Sequence, residues 1–311
     1  MYRFWLLAAG AGLVSAAAFL TGVMAGVGGF YSGFMLVYLS PAPLFAAALG
    51  LGGSASIAAA AAGAVSVMLA GGVKAGLGYA VLAAAPAAVL GRQAMLSRSN
   101  AEGRIEWYPP GALAEWLCGI GAVVYILLCI LLASQPAGLS GTVLEMVTQM
   151  ADWMQVADKD RETFIGLLHP ILPGTAVAFL MLVQVANGAM AQGLLAAANR
   201  AIRPTPDLGA LELPAWIAIA GAVAALAAIV LGGDFGYFAR NLVIVAAVPF
   251  FLQGLSVVHV LARRTGGGTM LLAVFYVMLV VLGWVAIVLV LLGLVEQIIG
   301  MRRRLGKENT T

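Results

Sequence analysis

The sequence predicts an all-α fold, a polytopic integral membrane helical bundle of about 8–10 membrane segments. Three observations predict it. First, 63% of the 311 residues are hydrophobic and only 9% are charged, with a mean hydropathy of +1.03. Soluble domains carry about 25% charged residues, so this chain could not cover its surface in water, and lipid fits as the outer solvent. Second, the apolar runs are long, near 5–24, 29–51, 54–72, 75–91, 111–134, 164–192, 214–232, 241–262 and 268–299. A crossing helix needs about 20 such residues. Third, alanine and leucine dominate beside 39 glycines. The runs are too uniformly apolar for the alternation of a membrane strand.

Taken in order, segment 5–24 follows Arg3 and reads as a retained first helix, not a cleaved leader. Ala8, Gly12 and Ala16 form a stripe of small residues one turn apart, suited to helix packing or to docking a partner helix. Gly22/Gly26 and Gly29/Gly33 repeat the spacing. Segment 29–51 contains Pro41 and Pro43, which interrupt the helical ladder and predict a kink or re-entrant element. Segment 111–134 carries Cys118 and Cys129, about 16 Å apart on a straight helix. That is too far for a disulfide, so they read as apolar fillers.

Residues 135–163 read as an extracytoplasmic loop with an amphipathic helix. Val143, Met146, Val147, Met150, Met154 and Ala157 lie on one face, and Glu145, Thr148, Gln149, Asp152 and Gln155 on the other. Segment 164–192 carries Gln184, Asn187 and Gln192; segment 241–262 carries Gln253, Ser256 and His259 at steps of three. Segment 268–299 would be about 48 Å long as one helix, so a break is expected near Leu282-Gly283-Trp284.

Charge placement sets the orientation. Arg3, Arg92, Arg98, Arg104, Arg200, Arg203, Arg263, Arg264 and the tail residues Arg302, Arg303, Arg304 and Lys307 fall on one side. Glu145, Asp152, Asp158, Asp160, Glu162 and Asp234 fall opposite, with Lys74, Lys159, Arg161 and Arg240. The positive-inside rule makes the arginine side cytoplasmic. The expectation is a single membrane domain over 1–311 in a bacterial inner membrane. Both termini are then cytoplasmic and 300–311 forms a basic tail. The net charge of +3 is thereby explained as orientation, and no nucleic acid partner is expected.

No catalytic constellation, cofactor motif or metal-ligand spacing appears, so the chain does not read as an enzyme. "GMRRRLGKE" (300–308) fails as a phosphate loop, with five residues between its glycines and Glu308 where a hydroxyl belongs. Any ATP-driven role therefore needs a separate subunit. The polar groups Gln184, Asn187, Gln253, Ser256 and His259 are the candidate ligand-binding residues. They have two readings: hydrogen-bonding glue between helices, or the lining of a small-solute site. Glu115 and Glu296 sit near helix ends, which counts against a proton- or sodium-coupled carrier.

Five stretches carry a family resemblance: "YLSPAPLFAAALGLG" (38–52), "WYPPGALAEW" (107–116), "RPTPDLGALELPAW" (203–216), "FLQGLSVVHVL" (251–261) and "LLGLVEQIIGMRRRL" (291–305). The chain resembles the YybS-like family of predicted bacterial membrane proteins, domain of unknown function 2232. In that family an acidic pair precedes the terminal basic run, and Glu296-Gln297 fills its place here. Where the family has aromatic residues next, this chain has Ile298, Ile299 and Met301. The family is similar in character to the substrate-binding subunits of energy-coupling-factor importers, which dock on a membrane coupling protein and a separate ATPase. Joined to the polar residues above, that likeness gives the leading expectation, an importer-type subunit that binds a small solute lined by Gln184, Asn187, Gln253 and Ser256. The alternative is a non-transporting scaffold or regulator acting through helix contacts.

Overall fold

A computed structural model describes residues 2–26 and 30–302. Gly29, Arg303, Arg304 and Lys307 lie outside the described residues. The helices are α1 (Tyr2–Gly26), α2 (Phe30–Leu39), α3 (Ala42–Leu51), α4 (Gly53–Tyr79), α5 (Ala85–Ala94), α6 (Pro110–Ala133), α7 (Gly138–Trp153), α8 (Asp158–Leu168), α9 (Leu172–Ala197), α10 (Ala215–Val230), α11 (Gly233–Ala262), α12 (Gly268–Val281) and α13 (Val285–Ile299). A short antiparallel hairpin, β1 (Ser97–Ser99) and β2 (Ile105–Trp107), joins α5 to α6. The protein is thus an all-α polytopic bundle. Among the described residues, six helical runs are long and apolar enough to cross a membrane, α12 with α13 is a bent seventh, and α10 is a shorter apolar helix.

One of the six runs, Gly53–Ala94, is 42 residues long, or about 63 Å as a straight helix. That is twice the hydrocarbon core of about 30 Å. Gly72 resolves the excess. Its φ of 83° and ψ of 171° interrupt the helix in a conformation open to glycine alone. The run is therefore two apolar helices, matching segments 54–72 and 75–91. A π-helical turn at Ala80–Ala84 then precedes Pro86.

The last apolar segment breaks at Leu282–Trp284, where the chain bends by 118°. Its arms have 14 and 15 residues, about 21 and 22 Å. The amphipathic helix is α7, but its buried stripe runs Leu139, Val143, Val147, Ala151, while Met146 and Met154 are exposed. The physical reason lies at its N-terminus. The Asp234 carboxylate on α11 accepts the Leu139 and Ser140 N–H groups, each at 3.1 Å, and so fixes the helix's rotation.

The chain divides into two compact units: residues 1–113 with 180–207, and residues 114–179 with 208–311. In the first unit α1 lies against α4, with Ala8, Ser15 and Ala16 buried. A Cβ on Gly12 would overlap the Ala59 carbonyl and stand 2.9 Å from the Gly63 nitrogen. The Ala8–Gly12–Ala16 stripe is thus covered by α4 of the same chain. In the second unit α11 packs on α13 and α10. A Cβ on Gly254 would strike the Leu289 carbonyl, and one on Gly293 the Phe250 carbonyl. Only glycine admits backbones this close.

Candidate functional site

Every helix break in an apolar medium leaves backbone groups that water cannot reach. The buried polar side chains of the first unit answer three such carbonyls, at two breaks. Pro86 has no N–H for the carbonyl four residues back, that of Leu82, and the Gln184 amide donates to it at 2.9 Å. The Ser40–Pro41 turn between α2 and α3 leaves the carbonyls of Tyr38 and Ser40 beyond the helical ladder. The Asn187 amide donates to the first at 2.7 Å, and the Ser15 hydroxyl donates to the second. Tyr79 in turn donates to Ser15 at 2.6 Å. Gln184 and Asn187 are each 3% exposed, and their amide oxygens have no partner among the described residues.

The second unit treats its Pro170 turn the same way. Asn241, fully buried, accepts the Gly174 N–H at 2.9 Å and donates to the Pro170 carbonyl at 3.0 Å. Nearby the structure pairs the Ser140 hydroxyl with His169 Nε2 at 3.2 Å, a couple the sequence did not reveal. Nε2 also lies 3.1 Å from the Ser140 carbonyl, which can only accept. That carbonyl claims the Nε2 proton, so the ring has no lone pair there to activate the hydroxyl.

A cavity of about 350 Å³ opens in the second unit, lined by Glu212, Leu213, Gln253, Glu296, Gln297 and Arg302 among others. Arg302 makes the wall. Gly300 turns left-handed after α13 (φ 65°, ψ 47°), and the guanidinium folds back to Glu296 at 2.8 Å. It also donates to Ser256 Oγ at 2.5 Å and to the carbonyls of Gly209 (2.8 Å) and Leu211 (2.7 Å). Glu296 is 4% exposed. A buried pair of this kind needs its remaining lone pairs and protons satisfied, and these acceptors do that. Ser256 itself donates to the Leu208 carbonyl. Gln253 donates to Gln297 Oε1 at 3.0 Å, and Gln297 to the Leu213 carbonyl at 3.2 Å. Gln253 is 3% exposed, and its Oε1 has no partner among the described residues.

The structure therefore places the candidate residues in two groups, each accounted for within its own unit. Gln184 and Asn187 belong to the first unit, and Gln253, Ser256 and His259 to the second. Gln253 lines the cavity and Ser256 stands behind Arg302. His259 donates from Nδ1 to the Leu255 carbonyl at 2.9 Å and lies 3.3 Å from the Tyr276 hydroxyl. Sequence reasoning counted Arg302 with the solvated tail and set Glu296 aside as a helix-end charge. The signal for the pair was Gly300, a C-terminal cap that reverses the chain and brings Arg302 back to a residue six earlier.

In the first unit, Arg203 is 4% exposed. It donates to the Ala94 carbonyl at 2.6 Å and the Tyr108 carbonyl at 3.3 Å, with its Cζ 5.8 Å from the Trp107 ring centre. Burial lowers its pKa from the usual arginine range, yet a guanidinium stays charged in proteins.

Compared with known protein families, residues 15–296 match the model described as Predicted membrane protein (DUF2232). The chain belongs to this family. No curated protein and no solved structure matches it. DUF2232 membership agrees with a protein that contacts the lipid bilayer through several apolar helices.

Proposed function

We propose that this protein is a small-solute-binding membrane subunit whose site is the cavity between α11, α13 and the 208–213 turn. One observation carries the proposal: Gln253, Gln297, Glu212 and the Glu296–Arg302 pair gather polar groups around a cavity of ligand size. Such a lining recognises its occupant by hydrogen bonds, so the solute carries polar N–H or O–H groups. Arg263 and Arg264 follow α11, and the charge rule assigns this end to the cytoplasm of a bacterial inner membrane. The cavity then suits the release station of an importer driven by a separate coupling protein and ATPase.

A second role, a non-transporting scaffold or regulator, is supported by the first unit. There the buried amides are spent on capping broken helices, and the small-residue stripe on internal packing. The two roles separate on purification in mild detergent followed by mass spectrometry of bound small molecules and partners. A small polar solute enriched on the wild type and lost from Gln253→Leu, together with an ATPase, is the expected result. A protein that carries no solute and brings down only cell-envelope proteins would establish the scaffold instead.

A further inference from the structure

The arginines on one end of the first unit are not equivalent. On the hairpin, Arg98 pairs with Glu106 at 2.9 Å and Arg104 with Glu102 at 3.2 Å. Arg92, Arg200 and Arg203 make no ion pair with any described carboxylate. Arg92 and Arg200 are exposed, and orientation at a membrane edge is enough to explain them. Arg203 is different, because a membrane-orienting charge gains nothing from being 4% exposed. Its two hydrogen-bond acceptors are neutral carbonyls, and its buried Nε–H has no acceptor among the described residues. A buried charge without a counter-charge is costly.

The backbone gathers the three arginines around the turn between α3 and α4. The Ile202 N–H donates to the Leu49 carbonyl at 3.0 Å, which ties the 200–203 loop to the end of α3. A Cβ on Gly50 would lie 3.9 Å from the Arg200 carbonyl oxygen, and one on Gly53 would lie 3.3 Å from the Arg92 Cα. Arg92 is two residues from Ala94, whose carbonyl holds the Arg203 guanidinium. Gly50, Gly52 and Gly53 leave Leu51 as the one side chain of this turn. A guanidinium without a counter-charge, with two further arginines on neighbouring backbone, matches a tetrahedral oxyanion in charge.

We infer that Arg92, Arg200 and Arg203 form a binding site for a phosphate group, with Arg203 as the buried anchor. The phosphate comes either from the headgroup of an anionic lipid or from a soluble phosphate compound, and both present the same oxygens to the arginines. The test is thermal unfolding of the full-length protein, in detergent with inorganic phosphate against chloride of equal ionic strength, and in nanodiscs of phosphatidylcholine with and without phosphatidylglycerol. The expected result is a rise of several degrees in unfolding temperature with at least one probe. That rise is lost in Arg203→Met and mostly lost in the Arg92→Gln/Arg200→Gln double variant, whose exposed positions leave folding intact. A response to phosphatidylglycerol alone assigns the site to lipid, and a response to phosphate alone assigns it to a soluble ligand. Indifference of the wild type to both probes, or a full response in the double variant, would overturn the proposal.

Discussion

Gln184 shows what a polar side chain in an apolar helix is used for. An amide in an apolar helix suggests glue between helices or a ligand contact. Here its partner is a backbone carbonyl that Pro86 cannot serve. Two substitutions test the pairing. Gln184→Leu should lower stability by about 1 kcal/mol, read as a lower unfolding temperature in detergent. The loss should shrink in a Pro86→Ala background, where the new N–H can take the Leu82 carbonyl. An equal loss in both backgrounds would mean that the amide stabilises by some other route. At this scale the sequence made the polar residues legible but not their partners. A proline is visible in a string of letters, whereas the carbonyl it frees meets a side chain 102 positions away only after folding.

At the scale of elements, the apolar segments and the break at Gly283 were legible, because length against bilayer thickness is one-dimensional information. The rotation of α7 was not, since it depends on Asp234, which lies 95 positions from Leu139. Helix proximity is also a property of pairs. Gly293→Ala should force α13 away from α11 and cost about 1–3 kcal/mol, with loss of any bound solute. Gly188→Ala is the control, because its Cβ would meet the Phe45 ring at an ordinary 3.6 Å. If the two variants unfold at the same temperature, close backbone contact is not what holds α11 to α13.

The pair α7–α8 carries a pH-dependent link. The Arg161 guanidinium beside Asp152 holds its carboxyl below the usual carboxylate range. The pair's contribution is therefore complete above the ordinary carboxylate pKa and is lost as pH falls through the lowered folded value. Asp152→Asn should speed amide exchange over residues 153–160 at neutral pH. Wild type should approach that rate only in acid. A pH-independent difference between the two proteins would show that the pair is not the link.

For the whole molecule, lipid-facing composition decided the class, and two units with separate polar interiors emerged that composition could not divide. The bent pair α12–α13 has a consequence for the membrane itself. Its arms, of 14 and 15 residues, reach about 21 and 22 Å each, well short of a core of about 30 Å. Where each arm crosses on its own, the bilayer thins or leaves polar ends in hydrocarbon, a case of negative hydrophobic mismatch. The protein should unfold at a higher temperature in bilayers of short acyl chains than in long ones, and lengthening the exposed helix α12 by one turn of leucines should weaken that dependence. Acyl-chain length would then act as a sorting signal, drawing the protein to the thinnest patches of the membrane that holds it.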